Sequence, residues 1–564
     1  MNKNITPILT NKQKLQSYFI ILMFILTNFF EMLSIGLIIP LMEILQGQPS
    51  NFLSFINEYV DFKFQTKIIQ ILIIFFILVF LKNIFLVFTN YYQAKFIILL
   101  SNSLIKKVYA NYLNKNLIDI SKTHSSKLFR DIITETGLFT NNYVGPYLTL
   151  ISNILLISFI ITLLLFYNFQ SSLIILVAAI FAFFIFRFFF GKQLKELGKK
   201  RQNYQKTIFQ NINDGLNIIK EIRLLNLNNF FIDKIDKTLK KLLKINIKRI
   251  LISSIPKASY EMLFLSLLIL IVLLNTNNQP SLVTTLGLYV AATFRLMPSL
   301  NAISVSYNKM KFSQPTIDII KRVAIDQPYN NEYELTKEEN IEFKSNILIK
   351  NLNLSFDNLN ILENCNLEIK SKDKIGILGE SGIGKTTFLN VIMGLIEPKD
   401  GEVLVDEKNI KKNQKGWFNL ISYVPQNVIV FDESLQFNVA LGDLKTDFDK
   451  ERYDLAIKKA QLVKLLKKLE NKSDQNLGEN GSKISQGEKQ RIGIARAFYR
   501  QSKVLILDES TNFLDAETEK DFLNELRDNC EDLTIIFVSH KVSSLEICNK
   551  RFILRNKQLV EQTI

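Results

Sequence analysis

A glycine-rich stretch in the second half of the chain has the residue types and spacing needed to hold a row of phosphates. Residues 374–387 read KIGILGESGIGKTT and contain the pattern G-x-x-x-x-G-K-[ST] between an apolar run and a helical run. Glycines allow backbone N–H groups to close around phosphate oxygens, and the start of a helix favours negative charge. The sequence therefore predicts a nucleotide phosphate loop formed by Gly379, Glu380, Ser381, Gly382, Ile383, Gly384, Lys385, Thr386 and Thr387.

Three further side chains follow apolar, strand-like runs and could complete the chemistry at this loop. VLILDES places Asp508 at the end of a buried strand, where it can hold Mg²⁺ together with the Thr386 hydroxyl. Glu509 follows directly and is placed to polarise an attacking water as a general base. IIFVSHK ends a second strand at His540, which we expect to contact the γ-phosphate, while Lys385 contacts the β- and γ-phosphates. We predict Glu509 and His540 as catalytic residues.

The first half of this 564-residue chain consists largely of apolar runs long enough to cross a lipid bilayer. About twenty apolar residues match the hydrocarbon thickness at helical rise. The run 17–45 carries only Glu31 and Glu43, and the run 68–88 carries only Lys82. We predict a transmembrane domain over 1–323 with six helices at approximately 17–45, 67–115, 141–168, 171–215, 250–275 and 281–318, a linker over 324–344 and a nucleotide-binding domain over 345–564.

The connections between these runs set the predicted orientation. The lysine-rich segments KQLKELGKKRQNYQK and KIDKTLKKLLKINIKR lie in the long connection between the fourth and fifth spans. Basic connections face the cytoplasm, so we predict long cytosolic extensions of the helices and cytosolic positions for both termini and the second domain. The excess of 69 Lys and Arg over 53 Asp and Glu, a net charge of +16, therefore reflects membrane orientation, and no nucleic-acid partner is predicted.

Beyond the linker, the residue pattern changes to that of an α/β domain. Short β-rich runs such as ILIKNLNLSF and KIGILG alternate with helical runs, which predicts parallel strands. Cys365, Cys530 and Cys548 form no metal-spaced pair, and their odd number argues against a disulfide framework. We predict that they are free thiols in the cytosol.

The segment between the two strand motifs resembles a known family. ISQGEKQR is similar to the signature sequence of ATP-binding-cassette (ABC) transporters, with Ser485 and Gly487 at its key positions. YVPQN resembles the family's Q-loop and NFLD its D-loop, which implies roles at the nucleotide site for Gln426 and Asp515. The phosphate loop, the signature, LDES and SHK also occur in the family's order and spacing.

This resemblance covers essentially the whole chain and implies an architecture. Six spans followed by one such domain resemble a type IV exporter half-transporter: an α-helical transmembrane domain, then an α/β P-loop ATP-binding-cassette domain with a helical subdomain. The family implies ATP and Mg²⁺ as cofactors, with Thr386, Gln426 and Asp508 around the metal. Asn358 stands where the family usually has an adenine-stacking aromatic residue, so adenine stacking is not predicted here.

The resemblance also implies a partner. In this family, the signature serine and glycine of a second chain close the γ-phosphate side of each ATP. One nucleotide domain per chain therefore implies a homodimer with two composite sites, each built from Lys385 of one chain and Ser485 of the other. Closure around ATP is expected to reorient the membrane helices. The predicted location is the inner (cytoplasmic) membrane of a bacterium, as a multi-pass protein in the lipid bilayer.

Charged residues at membrane depth point to a substrate. Arg295 lies mid-span in VAATFRLMPSL, where facing lipid would cost about 2.5–3.5 kcal/mol or more. Lys82 lies within its span, and Lys257 lies near a cytosolic end, from which it could reach the membrane surface. One interpretation is a structural pair of Glu31 with Arg295 or Lys82, and the other is a cationic lining for an anionic head group. Because the cations outnumber the one obvious anion, we predict Arg295, Lys82 and Lys257 as substrate residues.

A second resemblance narrows the substrate. FRLMPSLNAISVSYNKM, SIPKASYE and FFEMLSIGLIIPLM are similar to helices 6, 5 and 1 of ABC flippases for lipid-linked oligosaccharides, the type serving bacterial protein N-glycosylation. Arg295, Lys82 and Lys257 fall on positions that are basic in that group. The implied activity is ATP-driven flipping of a polyprenyl-diphosphate glycan, an anionic lipid-linked substrate. The alternatives are export of a peptide, a toxin or another lipid such as lipid A, whereas the six apolar runs argue against a soluble ABC ATPase.

Overall fold

The computed structural model of the protein describes residues 5–45, 67–274, 279–324, 341–356, 359–441, 448–470 and 476–562. The chain forms two compact units, one of residues 1–115 and 119–329 and the other of residues 116–118 and 330–564. The described part of the first unit is helical, and the second unit contains two β-sheets with helices. The predicted fold class is therefore confirmed. Most of the predicted linker, 324–344, lies outside the described residues.

Long helices form the first unit, and several of them exceed the length needed to span a bilayer. The described helices are α1 (Asn11–Gly36), α2 (Ile38–Leu45), α3 (Lys67–Leu113), α4 (Leu117–Ser121, whose first two residues belong to the second unit), α5 (Ser125–Phe129), α6 (Thr136–Phe139), α7 (Gly145–Tyr167), α8 (Phe169–Asn217), α9 (Ile219–Leu224), α10 (Asn228–Leu274), α11 (Gln279–Phe312) and α12 (Gln314–Ala324). Two π-helical segments, Arg130–Glu135 and Thr140–Val144, lie between α5 and α7.

Five helical segments of the described chain are long and apolar enough to cross a membrane. They are Asn11–Ile44, Ile68–Leu113, Ser125–Tyr167, Phe169–Asn217 and Asn228–Leu270. The sixth predicted span overlaps α11 and the start of α12. The total of six spans, with its boundaries, stays a prediction.

Reciprocal hydrogen bonds fix the start of α1. The Gln13 N–H donates to Thr10 Oγ1 over 3.3 Å, and the Thr10 N–H donates to Gln13 Oε1 over 3.0 Å. This capping box satisfies amides that the first turn of a helix leaves free. It starts the helix at Asn11, in the polar segment just before the apolar run 17–45, and Glu31 then lies more than five turns along α1.

The break between α11 and α12 is tightly packed. A Cβ added to Gly198 of α8 would lie 2.0 Å from the Phe312 carbonyl oxygen, so only glycine allows these backbones to approach this closely. The Arg201 and Arg249 guanidinium groups lie 5.4 and 4.9 Å from the centre of the Phe312 ring. Cation–π contacts and backbone packing therefore hold the end of α11 against α8 and α10.

A buried ion pair and a hydrogen bond to the same carboxylate hold the first turn of α12 in place. Glu135 Oε2 accepts hydrogen bonds from Thr316 Oγ1 at 2.7 Å and from Arg201 Nη2 at 3.4 Å. Both Glu135 and Arg201 are almost completely buried. Removing one member of such a pair leaves a charge without compensation, which is strongly destabilising. The π-helical segment that carries Glu135 is therefore held to α8 by an ion pair and to α12 by a hydrogen bond.

Two sheets form the framework of the second unit. The strands are β1 (Asn346–Phe356), β2 (Leu359–Lys370), β3 (Lys374–Leu378), β4 (Asp400–Val405), β5 (Lys408–Asn409), β6 (Ile421–Val424), β7 (Val504–Asp508), β8 (Thr534–Val538), β9 (Lys550–Arg555) and β10 (Gln558–Gln562). The helices are α13 (Lys385–Ile392), α14 (Gln414–Leu420), α15 (Leu435–Val439), α16 (Lys450–Lys459), α17 (Val463–Glu470), α18 (Gln486–Arg500) and α19 (Ala516–Asp528).

The larger sheet brings three predicted motifs to one edge. Its strand order is β10-β9-β3-β8-β7-β6, and β9, β3, β8, β7 and β6 pair in parallel. Ile377 of β3 and Asp508 of β7 both pair with Val538 of β8. The carboxyl ends of parallel strands meet at the same edge, where open α/β sheets bind ligands. The phosphate loop, the acidic pair and His540 all leave the sheet there.

All three cysteines lie in the core of the second unit. Cys365, Cys530 and Cys548 are free and buried. Burial raises the pKa of Cys365 and Cys530 and raises the pKa of Cys548 to about 12. Because the thiolate is the reactive form, these thiols are unreactive in the folded domain.

We expect N-ethylmaleimide at pH 8 to modify none of the three cysteines in the folded protein and all three after denaturation. The raised pKa values keep the thiols protonated, and burial excludes the reagent. Mass spectrometry of the intact chain before and after denaturation measures this directly. Stoichiometric labelling of the native protein within minutes would contradict the prediction.

Candidate functional site

The phosphate loop leaves β3 and turns directly into α13. Gly384 caps this helix with φ of +109°, a left-handed conformation that residues with a Cβ rarely adopt. A Cβ at Gly384 would also lie 2.7 Å from Ile361 Cγ2. Glycine at this position therefore allows the loop to close over the start of α13, where backbone N–H groups favour an anion.

Lys385 is folded back over the loop. Its Nζ donates hydrogen bonds to the carbonyl oxygens of Gly379 at 2.8 Å and Glu380 at 3.0 Å. It also lies 3.2 Å from His540 Nε2 and 3.7 Å from Glu509 Oε1. Burial lowers the pKa of Lys385, and the carboxylates of Glu509 and Asp508 partly offset that effect. The ammonium group therefore lies at the loop, where incoming phosphates can replace its carbonyl partners.

Asp508 is the centre of the candidate magnesium site. Its Oδ2 accepts hydrogen bonds from Thr386 Oγ1 at 3.0 Å and from Tyr423 OH at 3.2 Å. Burial raises the pKa of Asp508, so a cation beside it would stabilise its charged form. Carboxylate and hydroxyl oxygens are ligands that Mg²⁺ prefers, so Asp508 and Thr386 are the residues that would hold this ion at the phosphate loop.

The rest of a magnesium shell would come from phosphate and water. Among the described residues there is no group of three or more His, Cys, Asp or Glu side chains placed to hold a metal. Mg²⁺ in nucleotide sites usually keeps waters and needs only one or two protein ligands, so this arrangement suits it. Bound there, it would neutralise charge on the β- and γ-phosphates. Gln426, the third predicted metal residue, instead donates to Glu509.

Four side chains surround the carboxylate of Glu509. Its Oε2 accepts hydrogen bonds from Gln426 Nε2 at 2.7 Å and from Asn512 Nδ2 at 3.1 Å. Its Oε1 lies 2.5 Å from His540 Nε2 and 3.7 Å from Lys385 Nζ. The Glu509 backbone has φ of +48° and donates to the Val538 carbonyl at 2.9 Å. This non-glycine positive φ turns the carboxylate from the end of β7 toward the phosphate loop.

The signature and D-loop residues lie at the starts of helices. Ser485 is exposed and caps α18: its Oγ accepts from the Glu488 N–H at 3.2 Å, and its N–H donates to Glu488 Oε2 at 2.7 Å. These hydrogen bonds stay within one turn and do not reach the phosphate loop. Gly487 lies in the same turn, and Asp515 caps α19. The structure therefore presents Ser485 and Gly487 on the surface of the second unit.

Tyr423 and Asn512 were not predicted as site residues, although both lie in quoted motifs. Tyr423 is in β6, which pairs in parallel with β7, so it lies beside the strand that ends at Asp508. Asn512 follows Glu509 by one turn, which brings its amide back to the carboxylate. Tyr423 could have been predicted as a site residue only if the neighbour of β7 in the sheet were known. Asn512 could have been predicted from the sequence, because it follows Glu509 by three residues within DESTN. Asn358 lies outside the described residues.

In the first unit, Glu31 joins two of the three predicted substrate residues. Glu31 of α1 is 6% exposed. Its Oε2 lies 3.2 Å from Lys82 Nζ of α3, and its Oε1 lies 2.8 Å from Arg295 Nε of α11. The two alternative structural pairs therefore occur together. Lys257, on α10, is exposed and is not among the described residues that contact this cluster or line the adjoining cavity.

Arg295 faces a cavity of about 440 Å³ between α1, α3, α7 and α11, whose wall combines polar side chains with the apolar side chains of Phe24, Leu86, Ala94, Ile97 and Leu156. Four amides line it, from Asn28, Asn90, Gln93 and Asn153. Four hydroxyl groups line it as well, from Thr27, Thr89, Thr149 and Ser152. Among the described residues at its wall, Arg295 alone carries a charge. The cavity therefore combines one guanidinium with many uncharged hydrogen-bonding groups.

Comparison with known protein families gives two matches. Residues 362–512 match the family described as ABC transporter, and residues 17–297 match the family described as ABC transporter transmembrane region. The first range contains the phosphate loop, the signature and the acidic pair, and the second contains Glu31, Lys82 and Arg295.

Similar proteins extend over most of the chain. A putative export ATP-binding/permease protein of Rickettsia bellii is 25% identical over 490 residues, which cover 85% of this chain and 83% of the relative. An ATP-dependent lipid A-core flippase of Francisella tularensis is 28% identical over 381 residues, which cover 66% of this chain and 62% of the relative. The structure of a bacterial Atm1-family ABC exporter with ATP bound has a TM-score of 0.81 at 17% identity, covering 98% of this chain and 94% of that one, which shows the shared fold.

We expect Glu509→Gln to abolish ATP hydrolysis while ATP binding is retained. The amide keeps the size of the side chain but cannot accept a proton from the attacking water. Phosphate release and binding of a fluorescent ATP analogue measure the two properties separately. Glu561→Gln, at an exposed position of β10, is the matched control and should hydrolyse ATP at the wild-type rate. Turnover above a tenth of wild type in Glu509→Gln would contradict the assignment of the general base.

Proposed function

We propose, from the premise that this chain belongs to the ABC transporter family and couples ATP hydrolysis to transport, that two copies form a homodimeric lipid flippase. Its substrate is a polyprenyl-diphosphate-linked oligosaccharide, moved across the cytoplasmic membrane of a bacterium. One observation carries the substrate class: Arg295 faces a cavity whose other polar wall groups are amides and hydroxyls.

A single chain provides only part of the set of residues needed for ATP hydrolysis. Glu509 is oriented by Gln426 and Asn512, and Lys385 lies beside it, so a general base and a phosphate cation are in place. His540 lies between them, where it can contact the γ-phosphate. Ser485 and Gly487 lie at an exposed helix start, where backbone N–H groups and a hydroxyl favour an anion.

A second copy completes the site in this proposal. Ser485 of one chain closes over the phosphates held by Lys385 of the other, so that each ATP joins the two chains. ATP bound between chains draws the two domains together, and hydrolysis removes the phosphate that joins them. The cycle of closure and release then drives movement of the membrane helices.

The cavity in the first unit suits a glycolipid head group. A guanidinium provides charge-assisted, bidentate hydrogen bonds to phosphate oxygens. Sugar hydroxyls and acetamido groups bind well to neutral amides and hydroxyls, which both donate and accept. Burial of an unpaired charge is costly. Because the phosphates would pair with Arg295, the one charged group in the described wall, a charged sugar would find no partner there, and the cavity favours an uncharged glycan. The polyprenyl tail needs no polar partner and stays in the bilayer.

A lipid A-core is the second candidate substrate, because relatives in Francisella carry the name ATP-dependent lipid A-core flippase. Both candidates are phosphorylated glycolipids that combine an anionic group with sugars. They differ in the number and spacing of their phosphates and in their tails. A direct comparison of the two lipids therefore separates the candidates.

We expect a chain with Lys385→Ala and a chain with Ser485→Arg to be inactive alone and to regain ATPase activity when co-expressed. The mixed dimer contains one site with both defects and one site with neither, because each site takes Lys385 and Ser485 from different chains. Two different affinity tags allow the mixed dimer to be purified before the assay. Absence of activity in the purified mixed dimer, with both chains folded, would contradict the composite-site proposal.

We expect a polyprenyl-diphosphate oligosaccharide to stimulate ATP hydrolysis in nanodiscs more than lipid A-core does. Arg295→Gln should raise the half-maximal concentration of that lipid about tenfold, the loss expected for one charge-assisted contact, with little change in the basal rate. Arg187→Gln is the matched control, because Arg187 is also within a span but stacks on Tyr307 instead. Stimulation by lipid A-core alone would establish the second candidate, and equal responses of Arg295→Gln and wild type would contradict the role of Arg295.

A further inference from the structure

We propose that Glu31 is an internal counter-ion that competes with the substrate's phosphates for Arg295 and Lys82 and so keeps binding weak enough for release. The inference rests on the proposed function, because it takes the cavity beside Arg295 as the head-group site. It assigns Glu31 a role in substrate affinity and release, beyond holding three helices together.

The geometry places one carboxylate between two cations. Glu31 uses different oxygens for the two contacts, Oε1 for Arg295 at 2.8 Å and Oε2 for Lys82 at 3.2 Å. The three residues belong to α1, α3 and α11, so the cluster joins three separate helices. Two positive charges and one negative charge leave one net positive charge. The cluster therefore attracts an anion while already containing one.

The hydrogen bonds of the cluster are incomplete. Arg295 Nε and Glu31 Oε2 are buried atoms without a hydrogen-bond partner within the described part of the chain, although both lie at ion-pair distance from an opposite charge. A buried donor without a partner costs free energy. Because Nε is covered, a phosphate oxygen entering from the cavity would meet the exposed part of the guanidinium, beside its contact with Glu31. The contact between Glu31 and Arg295 is thus mainly electrostatic, and a second anion can compete with it.

The side chains of the three residues differ in how far they are exposed. The Glu31 side chain is 8% exposed, the Lys82 side chain 16% and the Arg295 side chain 37%. Arg295 is the member that reaches the cavity, whereas Glu31 lies behind it. A head group therefore meets the guanidinium first and exchanges with a carboxylate that stays in the wall.

Release of the head group explains why a competing anion is useful. A transported ion must bind well enough to enter a site and weakly enough to leave it. Without Glu31, Arg295 and Lys82 would present two uncompensated cations at membrane depth and would hold a diphosphate tightly. With Glu31, each phosphate that leaves is replaced by the carboxylate, so the cations are not left unpaired. Relative movement of α1, α3 and α11 during transport can change which anion the cations contact.

The experiment uses a glycan-free short-chain polyprenyl diphosphate as probe, added to the full-length protein in phosphatidylcholine nanodiscs. We expect Glu31→Gln to lower the half-maximal probe concentration for ATPase stimulation about tenfold and to lower the maximal stimulated rate. Glu31→Asp, which keeps the charge on a shorter side chain, should change both parameters less. Glu43→Gln, which removes the other carboxylate of the same apolar run, is the matched control and should behave as wild type.

Thermal unfolding provides a second readout that a purely structural role would not produce. Glu31→Gln is expected to unfold at a lower temperature than wild type without probe and to gain more from added probe, because ligands stabilise in proportion to their affinity. If the wild type responds to the probe and Glu31→Gln has the same or a higher half-maximal probe concentration, the inference about Glu31 is overturned while the proposed substrate stands. A wild type that does not respond to any diphosphate lipid overturns the proposed substrate, and the inference with it.

Discussion

A positive charge removed from water needs an anion beside it, and both the phosphate loop and the Glu31 cluster of this chain follow that constraint. At the sheet edge, Lys385 contacts loop carbonyls and lies near the carboxylate of Glu509. In the first unit, Arg295 contacts the carboxylate of Glu31. Each of these cations thus lies near a protein carboxylate, so an anionic ligand that binds the cation has to replace or join that carboxylate. The two regions share this chemistry although their folds and surroundings differ.

The sequence was sufficient for the nucleotide motifs because their chemistry is local. The phosphate loop lies within nine consecutive residues, and the acidic pair and His540 each end a short apolar run. Parallel pairing of β3, β8 and β7 then brings them to one edge without any further signal. The contacts of Tyr423 and Asn512 were missed because the motifs give residue order but neither strand order nor the turn that reverses the chain after Glu509.

The charges within the apolar runs are harder to interpret from the sequence, because their partners lie on helices far apart in the chain. The sequence left a Glu31–Arg295 pair and a Glu31–Lys82 pair as alternatives, and the structure contains both since α1 contacts both α3 and α11. The amides and hydroxyls of the cavity are spread over α1, α3 and α7, so no single segment reveals them. The break between α11 and α12 depends on Gly198 of α8, whose close contact with Phe312 has no local signal in either segment.

The packing around Phe312 has a mechanical consequence. The ring lies beside two guanidinium groups, its carbonyl lies against Gly198, and Thr316 one turn later is bonded to buried Glu135. A helix break would ordinarily act as a flexible joint, but here both sides of the break are held by α8 and the π-helical segment. The end of α11 and the start of α12 are therefore held at a constant angle to each other. We expect a rotation of α11 to move α12 with it, because the break between them is too tightly packed to bend.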